Sequence, residues 1–211
     1  MMQIEAQGLS KRYAREWIFR DLTYTFRPGT ATAILGPNGA GKSTLLNTLS
    51  GQLLPTAGTL SYSHHGRPVP PEEVSPLLAY AAPYLELIEE LTLTELLAFH
   101  TRFKPLQPGL TPQQLIERMY LETARHKLVR DFSSGMKQRL KLALALYADA
   151  PLLLLDEPTT NLDRAGVAWY HEHVRATLPG RTVLVSSNVP EEYDFCQDHL
   201  LITDFAGRAG R

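Results

Sequence analysis

The chain has 211 residues, 44% of them apolar, and a formal net charge of −1 from 21 basic and 22 acidic residues. This predicts one globular domain with a sizeable core and little room for a second catalytic domain, and the charge balance excludes an overall polyanion binder, so no nucleic acid partner is expected. A lone cysteine, Cys196, excludes an internal disulfide or a many-thiolate metal site, and no apolar run approaches the roughly eighteen residues that cross a bilayer, which predicts a cytoplasmic protein held at a membrane only through partners.

In chain order, residues 4–10 and 18–26 mix apolar side chains with Thr and aromatics and predict strands. Pro28-Gly29 predicts a turn before a third strand at 30–35. A helix is expected over 42–53, with Leu45, Leu46 and Leu49 at helical spacing and Gly51 and Pro55 opposing its continuation. Residues 56–76 are rich in Pro, Gly and Ser and hold a short strand at 59–63, and another follows at 77–82. From 84 to about 148 the pattern is predominantly helical, with capped entrances at Thr94-Glu95 and at Thr111-Pro112-Gln113-Gln114. The apolar runs 152–155 and 182–185 suit strands buried on both faces of a mostly parallel sheet, whose carboxyl-end loops usually carry the chemistry.

Between the third strand and the first helix stands Gly36-Pro37-Asn38-Gly39-Ala40-Gly41-Lys42-Ser43-Thr44, a full phosphate-loop pattern in the strand–loop–helix context that pattern needs. Gly39 and Gly41 let the backbone turn its N–H groups inward, and the helix start adds unpaired N–H groups and the positive end of its dipole. Lys42 supplies a cation for the outer phosphates of a nucleotide, ATP, and Ser43 a hydroxyl for Mg²⁺. Asp156 and Glu157 end the apolar run 152–155. Two carboxylates there are costly without an ion or polar partner, which predicts Asp156 as a Mg²⁺ holder and Glu157 as the group that polarises the attacking water.

With these segments, Phe132-Ser133-Ser134-Gly135-Met136 and the run Pro158-Thr159-Thr160-Asn161-Leu162-Asp163, the chain resembles the nucleotide-binding subunit of ATP-binding cassette transporters. Taken alone, Ser133-Ser134-Gly135 is also an ordinary helix start, and Asp163 an ordinary helix cap. The resemblance implies an α/β fold: a P-loop NTPase core with a mostly parallel sheet, an antiparallel β subdomain and a helical insert. It places the whole chain, 1–211, in a single domain with a catalytic lobe at about 1–83 and 149–211 and a helical lobe at about 84–148. It implies a head-to-tail pairing with a second nucleotide-binding subunit, an identical copy or a different cassette, in which Ser133, Ser134 and Gly135 of one subunit approach ATP bound to the other and Asp163, at the turn that spans the dimer, helps couple the opposed nucleotide-binding sites. It also implies that Tyr13 stacks on adenine, that permease subunits span the membrane, and that the form of the Ser-Ser-Gly-Met segment favours export.

Two positions depart from the family pattern. Pro83-Tyr84 stands where a glutamine usually links magnesium and water to the helical lobe, and Asn188 stands where a histidine usually meets the terminal phosphate. An amide can hydrogen-bond there but cannot carry a titratable proton near neutral pH. Hydrolysis is expected through Glu157, with a soluble mechanical or regulatory cassette of slow or absent turnover as the alternative. Residues 84–91, apolar side chains interleaved with acids, are the expected docking stretch for a membrane partner.

Overall fold

A computed structural model describes residues 1–207. In chain order it runs β1 (Met2–Tyr13), β2 (Glu16–Phe26), β3 (Ala31–Leu35), α1 (Lys42–Leu49), β4 (Ala57–His64), β5 (Arg67–Val69) and β6 (Leu78–Ala81). Then follow α2 (Leu93–His100), α3 (Pro112–Arg118), α4 (Ser134–Leu146), β7 (Leu152–Asp156), α5 (Arg164–Thr177), β8 (Thr182–Ser186) and β9 (Asp198–Leu201), with short 3₁₀ turns between.

The strands form two sheets. β2-β1-β4-β5 is antiparallel, and β6-β7-β8-β3-β9 is parallel throughout. Every residue of β7, Leu-Leu-Leu-Leu-Asp, and of β8, Thr-Val-Leu-Val-Ser, is buried, as continuous apolar runs in a covered parallel sheet should be. Successive side chains point to opposite faces. Leu153, Leu155, Val183 and Val185 therefore join the core shared with α2–α5, whereas Leu152, Leu154 and Leu184 join the core shared with α1 and the antiparallel sheet. Cutting Leu154 to Ala would cost about 2–5 kcal/mol.

The register fixes where the chemistry lies. Asp156 pairs with Ser186, and Ser186 with Ile34, so the carboxyl ends of β7, β8 and β3 finish in one row and their following loops open along the same edge. Close approach demands glycine at Gly41, where φ is 97° and a Cβ would come within 2.3 Å of Ile18 Cγ2. That contact seats the loop's exit against β2.

Residues 84–148 hold α2, α3 and α4, but residues 84–91 form no helix. The first cap lies two residues earlier than expected. Thr92, not Thr94, is the N-cap of α2 and forms a capping box with Glu95, whereas Thr111 caps α3 with Pro112 and Gln114 as expected. Arg181, buried at the entrance to β8, donates to the carbonyls of Ala145, Leu146 and Ala150. It satisfies the orphan acceptors at the end of α4, while burial pushes its pKa down to about 10.

Candidate nucleotide site

The loop from Gly36 to Gly41 leaves β3 with Gly36, Gly39 and Gly41 all at positive φ, a backbone that L side chains rarely adopt. Pro37, Asn38 and Gly39 are exposed, so the loop is open to solvent on its outer side. Lys42 is only 4% exposed, and its Nζ folds back to donate to the carbonyls of Gly36 at 2.8 Å and Pro37 at 3.2 Å. Its ammonium is thus held inside the loop's curve. Ser43 and Thr44 continue into the first turn of α1, which has no acidic residue and no side-chain cap to compete for its N–H groups. Ala40 donates its N–H to the Pro37 carbonyl at 3.1 Å, tightening the bend.

Across β8 from the loop, Asp156 closes β7 at 1% exposure, and neither carboxylate oxygen has a hydrogen-bond partner. A buried, unsatisfied carboxylate is expensive, and a cation is the group that relieves it. No cluster of three or more His, Cys, Asp or Glu suited to a metal exists among the described residues. An ion at Asp156 would therefore draw its other ligands from a hydroxyl, water and phosphate oxygens, the donor set of Mg²⁺ bound with a nucleotide. The residues fit that ion. Glu157 follows in the left-handed region, φ 42°, with its N–H bonded to the Ser186 carbonyl at 2.9 Å, and its side chain is half-buried at the same edge.

Asn188, exposed just beyond β8, donates from Nδ2 to Asn38 Oδ1 at 3.2 Å. The loop after β8 thereby touches the glycine-rich loop directly. Tyr13 ends β1 with the residue 49% exposed and Lys11 Nζ 5.2 Å from its ring centroid.

The remaining expected residues stand apart from that edge. Ser133 is the N-cap of α4, accepting from the Met136 N–H at 3.2 Å, and both it and Ser134 are exposed. Gly135 packs toward the Asn161 carbonyl, which a Cβ would approach to 3.3 Å. Asp163 caps α5 through the Gly166 N–H at 2.7 Å. Within the chain these residues are bonded to their own helices.

Three groups at this edge escape a reading of the sequence. The Tyr84 hydroxyl lies 2.5 Å from that of Tyr80 and accepts from Asn47 Nδ2 at 3.2 Å. Burial and then the nearby charge of Asp156 raise the Tyr84 pKa, keeping a neutral hydroxyl beside the carboxylate. Beside Pro83, where no side-chain donor was expected, Tyr84 thus brings one; a single aromatic in a loop carries no pattern that could announce it. Glu192 is the third group, buried among donors from two loops, though the sequence Glu191-Glu192 reads as a pair of surface acids.

Comparison with known proteins decides the family. The family model described as ABC transporter matches residues 19–160. The chain belongs to the ABC transporter family. It is 33% identical to a Nod factor export ATP-binding protein of Rhizobium johnstonii, over 97% of this chain and 67% of that protein. It is 35% identical to a daunorubicin resistance ATP-binding protein of Streptomyces coeruleorubidus, over 97% of this chain and 66% of that protein. The chain thus spans about two thirds of the length of these relatives. A solved structure of an ATP binding subunit of an ABC transporter superposes with a TM-score of 0.76 at 27% identity, covering 94% of this chain and 85% of that one. As an ABC chain it is an ATP-binding unit on a P-loop α/β core, and no helix among its described residues is long and apolar enough to cross a membrane.

Proposed function

We propose that this ABC chain is the ATP-hydrolysing subunit of a membrane exporter, working as a head-to-tail pair of identical copies on permease partners. The observation that carries the hydrolytic part is Asp156, buried without a partner and followed at once by Glu157, at the edge where the glycine-rich loop opens. Mg²⁺ held by Asp156 and Ser43 would offset the charge of the phosphate oxygens. Lys42 binds the outer phosphates, the loop N–H groups receive the inner ones, and Tyr13 offers its free ring face to the base. Glu157 takes the proton of the attacking water, and Asn188 donates its amide hydrogen to the terminal phosphate, the part that a histidine plays elsewhere in the family.

Ser133, Ser134 and Gly135 act on the nucleotide of the opposite copy and Asp163 couples the two sites, in keeping with the exposure of Ser133, Ser134 and Asp163 at the starts of α4 and α5. Export as the direction is supported by the name of the Rhizobium relative, a Nod factor export protein. Beside Pro83 lies a groove of about 550 Å³ walled by Glu86, Glu89, Glu90, Lys137 and Lys141, where we place the permease contact. Lys141 Nζ donates to the Pro83 carbonyl at 2.5 Å, so a segment seated in this groove would press on the start of α4 and on the loop beside Asp156 together.

Phosphate release by the purified chain tests the reading. Multiple turnovers are expected from the native chain, falling about 100-fold or more in Glu157→Gln with ATP binding preserved. Absence of turnover in the native chain, or equal turnover in the variant, would remove the hydrolytic assignment.

A further inference from the structure

Glu192 sits in the 3₁₀ turn Pro190–Glu192 that follows β8, and at 2% exposure it is one of the most buried acids of the chain. Among the described residues it makes no ion pair. A buried carboxylate without a cation is tolerated only where donors satisfy it, and here each donor comes from a loop of the nucleotide edge. Oε1 accepts the Thr159 N–H at 2.8 Å and the Thr159 hydroxyl, and Oε2 accepts the Ser187 hydroxyl. Thr159 lies two residues beyond Glu157, and Ser187 immediately precedes Asn188.

The clamp is one link in a longer run of contacts. On one side, Gln138 of α4 donates from Nε2 to the Pro158 carbonyl at 2.9 Å in a buried bond, tying α4 to the residue before Thr159. On the other, Asn188 reaches Asn38 of the glycine-rich loop. The Tyr170 hydroxyl donates to the Glu192 carbonyl at 2.8 Å, anchoring the turn to α5 so that the carboxylate holds a fixed place.

From this geometry we infer that Glu192 is a positioning residue for ATP hydrolysis: its carboxylate sets the spacing between the loop carrying Glu157 and the loop carrying Asn188. The inference rests on the hydrolytic reading above. It touches neither Lys42 nor the backbone of the glycine-rich loop, so it bears on the chemical step and not on holding ATP. A group that fixes reacting partners in place lowers kcat when removed, and leaves ground-state binding alone.

Three chains decide it: native, Glu192→Ala and Glu192→Gln, each assayed for phosphate release against ATP concentration, with affinity for a fluorescent ATP analogue measured separately. Alanine should lower kcat about tenfold or more with KM and analogue affinity within about twofold of native. Glutamine should restore most of the loss, because its oxygen keeps both Thr159 bonds while its amide donates to the Ser187 hydroxyl, which turns to accept. A folded Glu192→Ala with native kcat overturns the inference, as does a rise in KM with kcat unchanged, or glutamine as impaired as alanine. Should the alanine variant fail to fold, Ser187→Ala removes one donor and decides in its place: a lower kcat at native KM supports the clamp, and an unchanged kcat overturns it. A native chain that releases no phosphate sinks the hydrolytic reading itself, and this inference with it; an active native chain beside an unimpaired Glu192→Ala sinks only the clamp.

Discussion

The carboxyl edge of the parallel sheet and the surface running from Pro83 into the start of α4 are built on opposite principles. At the sheet edge, Lys42, Asp156 and Glu192 are almost wholly buried, and each loop is tied to its neighbour by hydrogen bonds inside the chain. On the other surface Ser133, Ser134, Glu86, Ile88, Glu89 and Glu90 are exposed, and residues 85–91 form no regular element. Side chains that act on a ligand held by their own chain can be fixed before it arrives, since burial and loop-to-loop bonds remove the cost of ordering them later. Side chains meant for a partner must stay outside until it comes. The first region should therefore respond to mutation in the isolated chain, and the second only in the assembled transporter.

The largest effect we expect in the isolated chain beyond Glu157→Gln is from Lys42→Ala. Losing a charge-assisted contact to the outer phosphates should weaken ATP binding about 10- to 100-fold, read by equilibrium binding. Native affinity in a folded variant would detach Lys42 from the nucleotide. Smaller, and confined to turnover, is Asn188→Ala: kcat should fall about tenfold while ATP affinity holds, and Asn188→His should retain or raise turnover. Unchanged hydrolysis with alanine would reduce Asn188 to its contact with Asn38. The smallest effect in the isolated chain belongs to the exposed surface. Glu90→Lys reverses one charge of the groove and should leave basal phosphate release within about twofold of native, yet lower its stimulation by reconstituted permease subunits. An equal change with and without the permease would erase the division between the two regions.

How much of this was legible in the sequence follows the same division. The strands 30–35, 152–155 and 182–185 lie where apolar runs placed them, because a strand covered on both faces has no choice but continuous apolarity. The glycine-rich loop was legible because its backbone conformation needs particular residues at particular spacing, and Gly36, Gly39 and Gly41 adopt it. The stretch 84–91 was not: its alternation of apolar and acidic residues suits a helix or a loop equally, and only the chain's own packing chose the loop. The cap of α2 is ambiguous in the sequence because Thr92 and Thr94 both precede an apolar run, and only the reach of the Glu95 carboxylate to the Thr92 N–H, at 2.8 Å, separates them. Tyr84 and Glu192 were invisible for a different reason. Their roles arise from contacts between residues distant in sequence, Tyr84 with Asn47 37 residues away and Glu192 with Thr159 33 residues away, and no local spacing encodes that.

If the row of loops after β3, β7 and β8 is a site for ATP together with Mg²⁺, Asp156 is the protein's carboxylate ligand for the ion. The most direct measurement is ATP affinity with Mg²⁺ and with a chelator in its place, in the native chain and in Asp156→Asn, which keeps the shape of the side chain and removes its charge. Mg²⁺ should tighten binding to the native chain about tenfold or more, and this gain should be lost in Asp156→Asn, while binding in chelator stays nearly the same in both. An equal gain from Mg²⁺ in the two chains would contradict that role for Asp156.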